Sequence, residues 1–226
     1  MADPDPSGAE SLLARAWAER EEAAYPALFG DLGPGIYPLE SSLFADGFGD
    51  PSVDPRWLHY GVFRSPPNAA RSHWVFVTSG LSNPWEADAA GATSCRGHEF
   101  VLEATIGADW LLRRVQHVLA FQILLAHGRY PGREPLAPYD RVPLRGSLDP
   151  NGRSALTYLM VCPAAEPRRS IRLVSGGVEP YSLVGISRRP TRARKAATVS
   201  RRYCARQARF RSWTLIDPAS SSVGTA

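Results

Sequence analysis

Cysteine is scarce: Cys95, Cys162 and Cys204 are the only three in 226 residues. Odd in number and far apart, they supply neither the disulfide framework of a small secreted domain nor a CxxC zinc motif. A reducing cytosol is then the default compartment. No run of about 18 apolar residues occurs, which excludes a membrane-spanning helix. The start, Met1-Ala2-Asp3-Pro4-Asp5-Pro6, is acidic and proline-rich and does not read as a secretory signal. Catalytic signatures are missing as well. There is no G-x-S-x-G, Walker A, H-E-x-x-H or G-x-G-x-x-G. Gly30-Asp31-Leu32-Gly33-Pro34-Gly35 is glycine-rich, but no strand precedes it and Pro34 removes an amide that a phosphate cradle would need. Acid is missing from one long stretch. Residues 188–211 carry ten of the 26 basic residues and no Asp or Glu.

What is present fits a globular protein: 44% hydrophobic, 10% aromatic and 21% charged residues. The length suits one large domain or two small ones, with core enough to need no staples. Twenty Pro and 19 Gly point to many turns rather than a helical bundle. The net charge of +4 conceals an asymmetry, because residues 1–187 hold 16 basic and 21 acidic residues, a net of −5. The basic balance belongs to the tail, and an inference from it to nucleic acid would concern a small part of the chain.

Periodicity divides the chain into elements. Ser11 to Ala24 reads as an amphipathic helix with Leu12, Leu13, Ala16 and Trp17 on one side and Arg15, Glu19, Arg20 and Glu22 elsewhere, ended by Pro26 and Gly30. Residues 30–55 read as turns carrying apolar plugs at Ile36, Leu39, Leu43 and Phe44. Trp57–Phe63 and His73–Thr78 have the aromatic and β-branched content of strands. Residues 82–97 read as a long loop. In His98–Ile106, Phe100, Leu102 and Ala104 alternate with Glu99, Val101, Glu103 and Thr105, the pattern of a strand with one face partly wet. Asp109 is placed to cap the strongest helix, which runs to about Ala126 and stops at Gly128. Ser154–Cys162, Arg169–Val174 and Val178–Ile186 are further strands, the last two joined at Ser175-Gly176-Gly177. The expected fold is α+β: a mixed or antiparallel sheet with a long packed helix (about 109–126) and an N-terminal helix. One domain spans 1–187, with a helical lead (1–30) and a core (31–187). Residues 188–226 form a basic, poorly ordered tail.

Few residues offer chemistry. His73, His98 and Cys95 are the set on which a metal site or a Cys–His nucleophile pair would draw. Glu99 and Glu103 are a carboxylate pair on one strand face. The plainer reading is hydrogen-bonded histidines and a solvated strand face, with no metal and no cofactor. Trp57, Trp74 and Trp110 sit on regular elements and read as core. Trp85, in the loop after a strand, reads equally as an interface anchor or as a loop clamp, since aromatic anchors carry much of interface energy. In the basic segment, Arg188, Arg189, Arg192, Arg194, Lys195, Arg201 and Arg202, with aromatics interleaved further on, are candidate nucleic-acid contacts. A solvated tail, or a GC-rich gene read out of frame, accounts for the same composition.

One stretch is more specific. His73-Trp74-Val75-Phe76-Val77-Thr78-Ser79-Gly80-Leu81-Ser82-Asn83-Pro84-Trp85 resembles the signature of the Suppressor of fused domain family. Further blocks agree in order: His98-Glu99-Phe100-Val101-Leu102, the helix over 110–126, Tyr181-Ser182-Leu183-Val184-Gly185-Ile186, and Thr214-Leu215-Ile216-Asp217-Pro218. The resemblance spans roughly 55–187 and resumes at 213–218. It implies a non-enzymatic protein-binding module without cofactor. The animal member of the family is a cytoplasmic and nuclear repressor that grips a peptide of Gli-type transcription factors by adding it to a strand edge. Stand-alone bacterial copies include immunity proteins against partner toxins. By this resemblance the chain is a cytoplasmic immunity, antitoxin-like or adaptor protein whose partner is a toxin or regulatory protein. Trp85, Ser82, Asn83, His73 and Glu99 are the candidate contacts. Trp85 falls where the family has a contacting Tyr, and Gly91 falls near the place of a contacting Asp. Nucleic-acid binding through the tail is the alternative, and a hydrolase built on His98, Glu99 and Cys95 is the third reading.

Overall fold

The structure, a computed structural model, describes residues 6–85, 91, 93–163 and 170–187. The basic tail and the 213–218 block lie outside them. The chain opens with α1 (Pro6–Ala18), which continues through a π-helical stretch, Glu19–Ala24, into α2 (Tyr25–Phe29). Pro26 does not end this helix. It sits just after the π-helical stretch, and the helix runs on through it. Gly30, with φ +75°, ends it instead. β1 (Tyr37–Pro38), α3 (Ser41–Phe48) and a 3₁₀ turn (Pro55–His59) follow. Then come β2 (Gly61–Ser65), β3 (Trp74–Ser79), β4 (Thr93–Ala104), α4 (Asp109–Ala126), β5 (Arg141–Pro143), β6 (Leu156–Cys162), β7 (Ile171–Leu173) and β8 (Gly176–Ser187).

The eight described strands make one sheet in the order β1-β2-β3-β4-β8-β6-β5, with β7 also paired to β8. All neighbours are antiparallel except β4 and β8, which run parallel through His98↔Glu179 to Val101↔Ser182. The sheet is mixed and the protein is α+β, as the periodicity predicts.

Side-chain alternation sorts the sheet into two faces. Val62, Phe76, Phe100, Leu102 and Ala104 join the larger core against α4, whose Leu111, Val115, Leu119 and Ile123 are buried. Each of these Val, Leu, Ile and Phe side chains contributes roughly 1.5–3 kcal/mol when fully buried. Phe63, Val75, Val77 and Val101 form the smaller core on the other face with Tyr25 and Phe29 of α2 and with Ile171, Leu173 and Val178. The sheet is therefore covered by α3 and α4 on one side and by the N-terminal helical segment on the other.

Several local expectations need correction. Trp57 is not in a strand. Asp54 Oδ1 accepts the Arg56 amide and Pro55 follows, so residues 55–59 close a 3₁₀ turn that buries the indole. Residues 41–48 are helical rather than a string of turns, and Phe44 reaches the core. Asp109 does not cap α4. Its carboxylate pairs with Arg64 Nη1 at 2.6 Å, and Ala108 occupies the cap position. Finally, β4 begins at Thr93, before the expected loop ends. A bulge between Thr93 and His98 absorbs the irregularity, with positive φ at Cys95 (47°) and Gly97 (70°).

Candidate functional site: the loop after β3

The β3–β4 ladder stops at Val77↔Val101. Beyond it the chain turns through Gly80-Leu81-Ser82-Asn83-Pro84-Trp85. Gly80 has φ +138°, and a Cβ there would lie 2.3 Å from the Tyr60 ring, so the position accepts only glycine. The opening between the strands is filled by the carboxylate of Glu99, which is wholly buried. Its Oε1 accepts from the Gly80 amide (3.0 Å), the Ser82 amide (2.9 Å) and Ser82 Oγ (2.7 Å), and its Oε2 accepts from Thr78 Oγ1 (2.6 Å). Thr78 Oγ1 in turn accepts the Phe100 amide at 2.7 Å. One side chain thus replaces the missing rungs of the ladder and fixes the loop from within.

The N-terminal helical segment holds the same loop from outside. Arg20, also wholly buried, donates from Nη1 to Ser82 Oγ at 2.9 Å and from Nη2 to Glu21 Oε1 at 3.0 Å. Glu21 Oε1 also accepts from Ser79 Oγ at 2.5 Å. Tyr25 donates its hydroxyl to the Thr78 carbonyl at 2.6 Å. Burial, with the Glu99 charge adding to it, raises that phenol well above its ordinary pKa. Trp17 Nε1 donates to Asn83 Oδ1 at 2.8 Å, and the Val174 amide donates to Glu19 Oε2. Ser94 Oγ donates to the Ser82 carbonyl at 2.6 Å and meets Ser175 Oγ at 2.5 Å.

The sequence-predicted residues therefore divide. Ser82, Asn83 and Glu99 are brought together, but with no exposed surface; their side chains serve the loop's internal bonding. Trp85, at the end of the loop, is half-buried. It packs edge-on against Trp17 at 5.9 Å, with His59 5.9 Å away. His73 is not brought to this place. It precedes β3, about 20 Å from Gly80 at ~3.3 Å per residue, and its Nε2 lies 3.3 Å from Glu103 Oε2. Arg188, Arg189, Arg192, Arg194, Lys195, Arg201 and Arg202 fall outside the described residues.

The hydrolase set does not converge. Glu99 faces the N-terminal helical segment, and His98, the next residue, faces α4. His98 Nδ1 lies 2.9 Å from the Arg96 carbonyl, and its Nε2 lies 3.0 Å from Gln122 Nε2. Gln122 Oε1 accepts the Leu136 amide at 2.7 Å. This chain of donors makes Nδ1 the protonated nitrogen and Nε2 the acceptor for Gln122. Burial lowers the imidazole pKa, opposed by the bond to the Arg96 carbonyl. The ring stacks on Tyr181 at 4.9 Å. Cys95 lies in the bulge. Among the described residues no group of three or more His, Cys, Asp or Glu is placed to hold a metal ion. No described helix is long and apolar enough to cross a membrane. A surface hollow of about 420 Å³ opens between α3 and α4, and none of its lining residues comes from the Gly80–Trp85 loop.

Sequence reasoning missed Trp17, Arg20 and His59 as parts of this site. A signal existed for Arg20: it follows Leu13 by seven residues and Ala16 by four, which places it on the apolar face.

The family model for the Suppressor of fused protein (SUFU) matches residues 56–218. No curated protein matches the chain. Among solved structures, it is similar to Drosophila Suppressor of Fused, with 18% identity, a TM-score of 0.42, and coverage of 57% of this chain and 33% of that one. The chain thus spans about a third of the Drosophila protein's length. A Sufu-Fu complex structure is similar at 17% identity and a TM-score of 0.49, over 88% of this chain and 81% of that one. A SUFU homolog from Neisseria gonorrhoeae is similar at 10% identity and a TM-score of 0.47, over 96% and 100%.

Proposed function

Because the chain belongs to the Suppressor of fused family, we propose that it is a non-enzymatic protein-binding module that grips a segment of a partner through the loop after β3. The family is one of protein interaction and is not known for catalysis. The observation that carries this reading is the contrast within the loop. Gly80, Leu81, Ser82, Asn83 and Pro84 are buried, Ser82 and Asn83 have their side chains bonded inward, and Trp85 is held half-exposed at its end. A rigidly presented aromatic loses little conformational entropy on binding, which is what an interface anchor requires. In this reading Trp85 is the contact, and Ser82, Asn83 and Glu99 are its supports. His73 marks the far limit of an extended partner segment lying along the strand direction. In this reading the cellular role is that of a bacterial cytoplasmic immunity or adaptor protein, with a toxin or regulatory protein as partner.

The test starts from the gene neighbourhood. The product of the adjacent gene is purified and titrated into this protein by calorimetry. Binding is expected, at least about tenfold weaker for Trp85→Ala, the effect of losing roughly 1.4 kcal/mol or more, with the thermal midpoint nearly unchanged. Rescue of growth on co-expression with a toxic neighbour selects the immunity role over the adaptor role. Equal affinity of the Trp85→Ala variant overturns the site.

A further inference from the structure

A buried chain of hydrogen bonds runs from the sheet through α4 to the connection before β5, and both of its ends are backbone groups. At one end the Arg96 carbonyl lies 2.9 Å from His98 Nδ1. At the other the Leu136 amide donates to Gln122 Oε1 at 2.7 Å. Between them His98 Nε2 and Gln122 Nε2 lie 3.0 Å apart. A backbone carbonyl only accepts and a backbone N–H only donates, so the polarity of every link is set from the ends. Gln122 must turn its oxygen to Leu136, which leaves its NH₂ for His98. His98 must then accept at Nε2 and carry its proton on Nδ1. The chain admits this one arrangement, and it requires a neutral imidazole. Gln122 is wholly buried and His98 nearly so, so a link left unmade is costly.

Each element packed on the ring brings its own groups. On β4, Arg96 and Glu99 act on its charge, and Phe100 meets it edge-on at 5.3 Å. From β8 come Glu179, in register with His98, and Tyr181, stacked on the ring at 4.9 Å. From α4 comes the neutral Gln122 amide, with the Leu136 N–H behind it. Burial is the largest influence and, with Arg96, opposes the charged form; the bond to the Arg96 carbonyl and the carboxylates of Glu99 and Glu179 favour it. The balance lies below the ordinary 6.5, so the ring is neutral at neutral pH and takes up its proton in acid. At the far end of the chain, Leu136 is the one buried residue among 131–140, and its amide ties that stretch to α4.

We propose that protonation of His98 is relayed through Gln122 and releases the Leu136 amide, so that acid loosens residues 131–138 from α4 while the sheet stays paired. An imidazolium donates from Nε2 as well as from Nδ1. Gln122 meets the new N–H by turning its amide over, which brings its NH₂ against the Leu136 N–H, donor against donor. If Gln122 keeps its old orientation, its NH₂ faces the imidazolium instead. Either way one buried donor loses its acceptor. The element free to move away is the Leu136 stretch, held by one buried side chain, whereas β4 and α4 are packed along their length. The Gly80–Trp85 loop stands outside the relay, because its bonds run to Glu99 on the opposite face of the sheet. The device does not depend on the protein-binding reading above.

The experiment follows the full chain by NMR from about pH 7.5 to about pH 5, across the histidine range. At the upper limit the imidazole nitrogen shifts of His98 should place its proton on Nδ1. Through the His98 titration the protection factor of the Leu136 amide should fall at least about tenfold, while those of Ile123 in α4 and Phe76 in β3 change less than about twofold. Gln122→Glu is a separate check. A carboxylate accepts from the Leu136 N–H and from an imidazolium at once, so the His98 pKa should rise and Leu136 should keep its protection. A neutral His98 protonated on Nε2, or Leu136 protection that does not change as His98 titrates, overturns the relay. So does an equal loss at Leu136 in the Gln122→Glu variant. A common loss at Leu136, Ile123 and Phe76 at one pH also overturns it, since that is global unfolding. If Gln122→Glu does not fold, the titration of the parent chain decides alone.

Discussion

Replacing Glu99 by Gln keeps the shape of the side chain and removes the charge from the centre of the loop's bonding. The amide oxygen still accepts from the Gly80 amide and from Ser82 N and Oγ. The amide nitrogen, however, faces Thr78 Oγ1, which accepts the Phe100 amide and has a second lone pair for it, so this contact reverses and the buried Thr78 hydroxyl hydrogen loses its acceptor. A hydrogen bond to a charged acceptor is worth roughly 1.5–3 kcal/mol against about 1 for a neutral one. One buried donor is then left unsatisfied and three bonds are weakened, a gross loss of roughly 3–6 kcal/mol. Relief of the desolvation cost of a buried charge offsets part of this. The expected net destabilisation is about 2–4 kcal/mol, or ~4–16 °C in thermal midpoint at ~2–4 °C per kcal/mol for a chain of this size. Urea denaturation with an unchanged m-value measures it. Amide exchange at Gly80 and Ser82 should accelerate more than at Val75 or Val77, because only the former donate to Glu99. Arg20→Met should be costly alone and less than additive with Glu99→Gln, since the two side chains share Ser82 Oγ. A loss below ~0.5 kcal/mol, or strict additivity with Arg20→Met, would refute the idea that the carboxylate replaces the missing rungs of the ladder.

Trp85→Phe should leave stability unchanged or slightly raised, because the indole Nε1 is buried without a partner among the described residues and such a donor costs ~1–3 kcal/mol; a fall in urea midpoint would speak against this. Gly80→Ala should destabilise strongly, by ~2 kcal/mol or more, as its Cβ would meet the Tyr60 ring at 2.3 Å; a thermal midpoint within a degree or two of the parent would refute the fit. His98 gives a pH dependence with a definite sign. Its folded pKa lies below the ordinary 6.5, so its contribution is fully present above that value, declines as pH falls because the unfolded chain takes up the proton first, and levels off below the folded value. Urea midpoints between pH 7.5 and 5 follow it, and a His98→Gln variant should show a flatter profile; equal slopes would remove His98 as the cause.

The long-period signals in the sequence were the dependable ones. The apolar stripe of α4 and the alternation in β3 and β4 were legible because each spans enough residues for its period to be counted. Trp57 misled because aromatic content outweighed the Asp54-Pro55 turn start that stood beside it. Arg20 was set apart from the apolar side because charge was weighed before its spacing from Leu13 and Ala16. At the site, Trp85 was legible from its loop position. Trp17 and His59 were not, since 42 and 68 residues separate Trp17 from its two ring partners and only the packing of α1 onto the loop joins them. Glu99 was legible as important yet assigned to the wrong environment, because a strand face that is wet at Glu103 is dry at Glu99, and alternation alone does not distinguish the two.

The parallel pairing of β4 with β8 sets the order of events on the ribosome. Residues joined in it, such as Val101 and Ser182, are separated by about 80 positions, and at ~5–20 residues per second the ribosome needs roughly 4–16 s to deliver the second strand after the first. β1, β2 and β3 pair only with near neighbours in sequence, and β4 does so along its β3 edge, so this half is able to assemble early, with the other long edge of β4 unpaired. An open edge of that length is a template for any other nascent strand. Chains that stall between residues 105 and 175 are therefore the species most exposed to aggregation, and arrival of β8 ends the exposure.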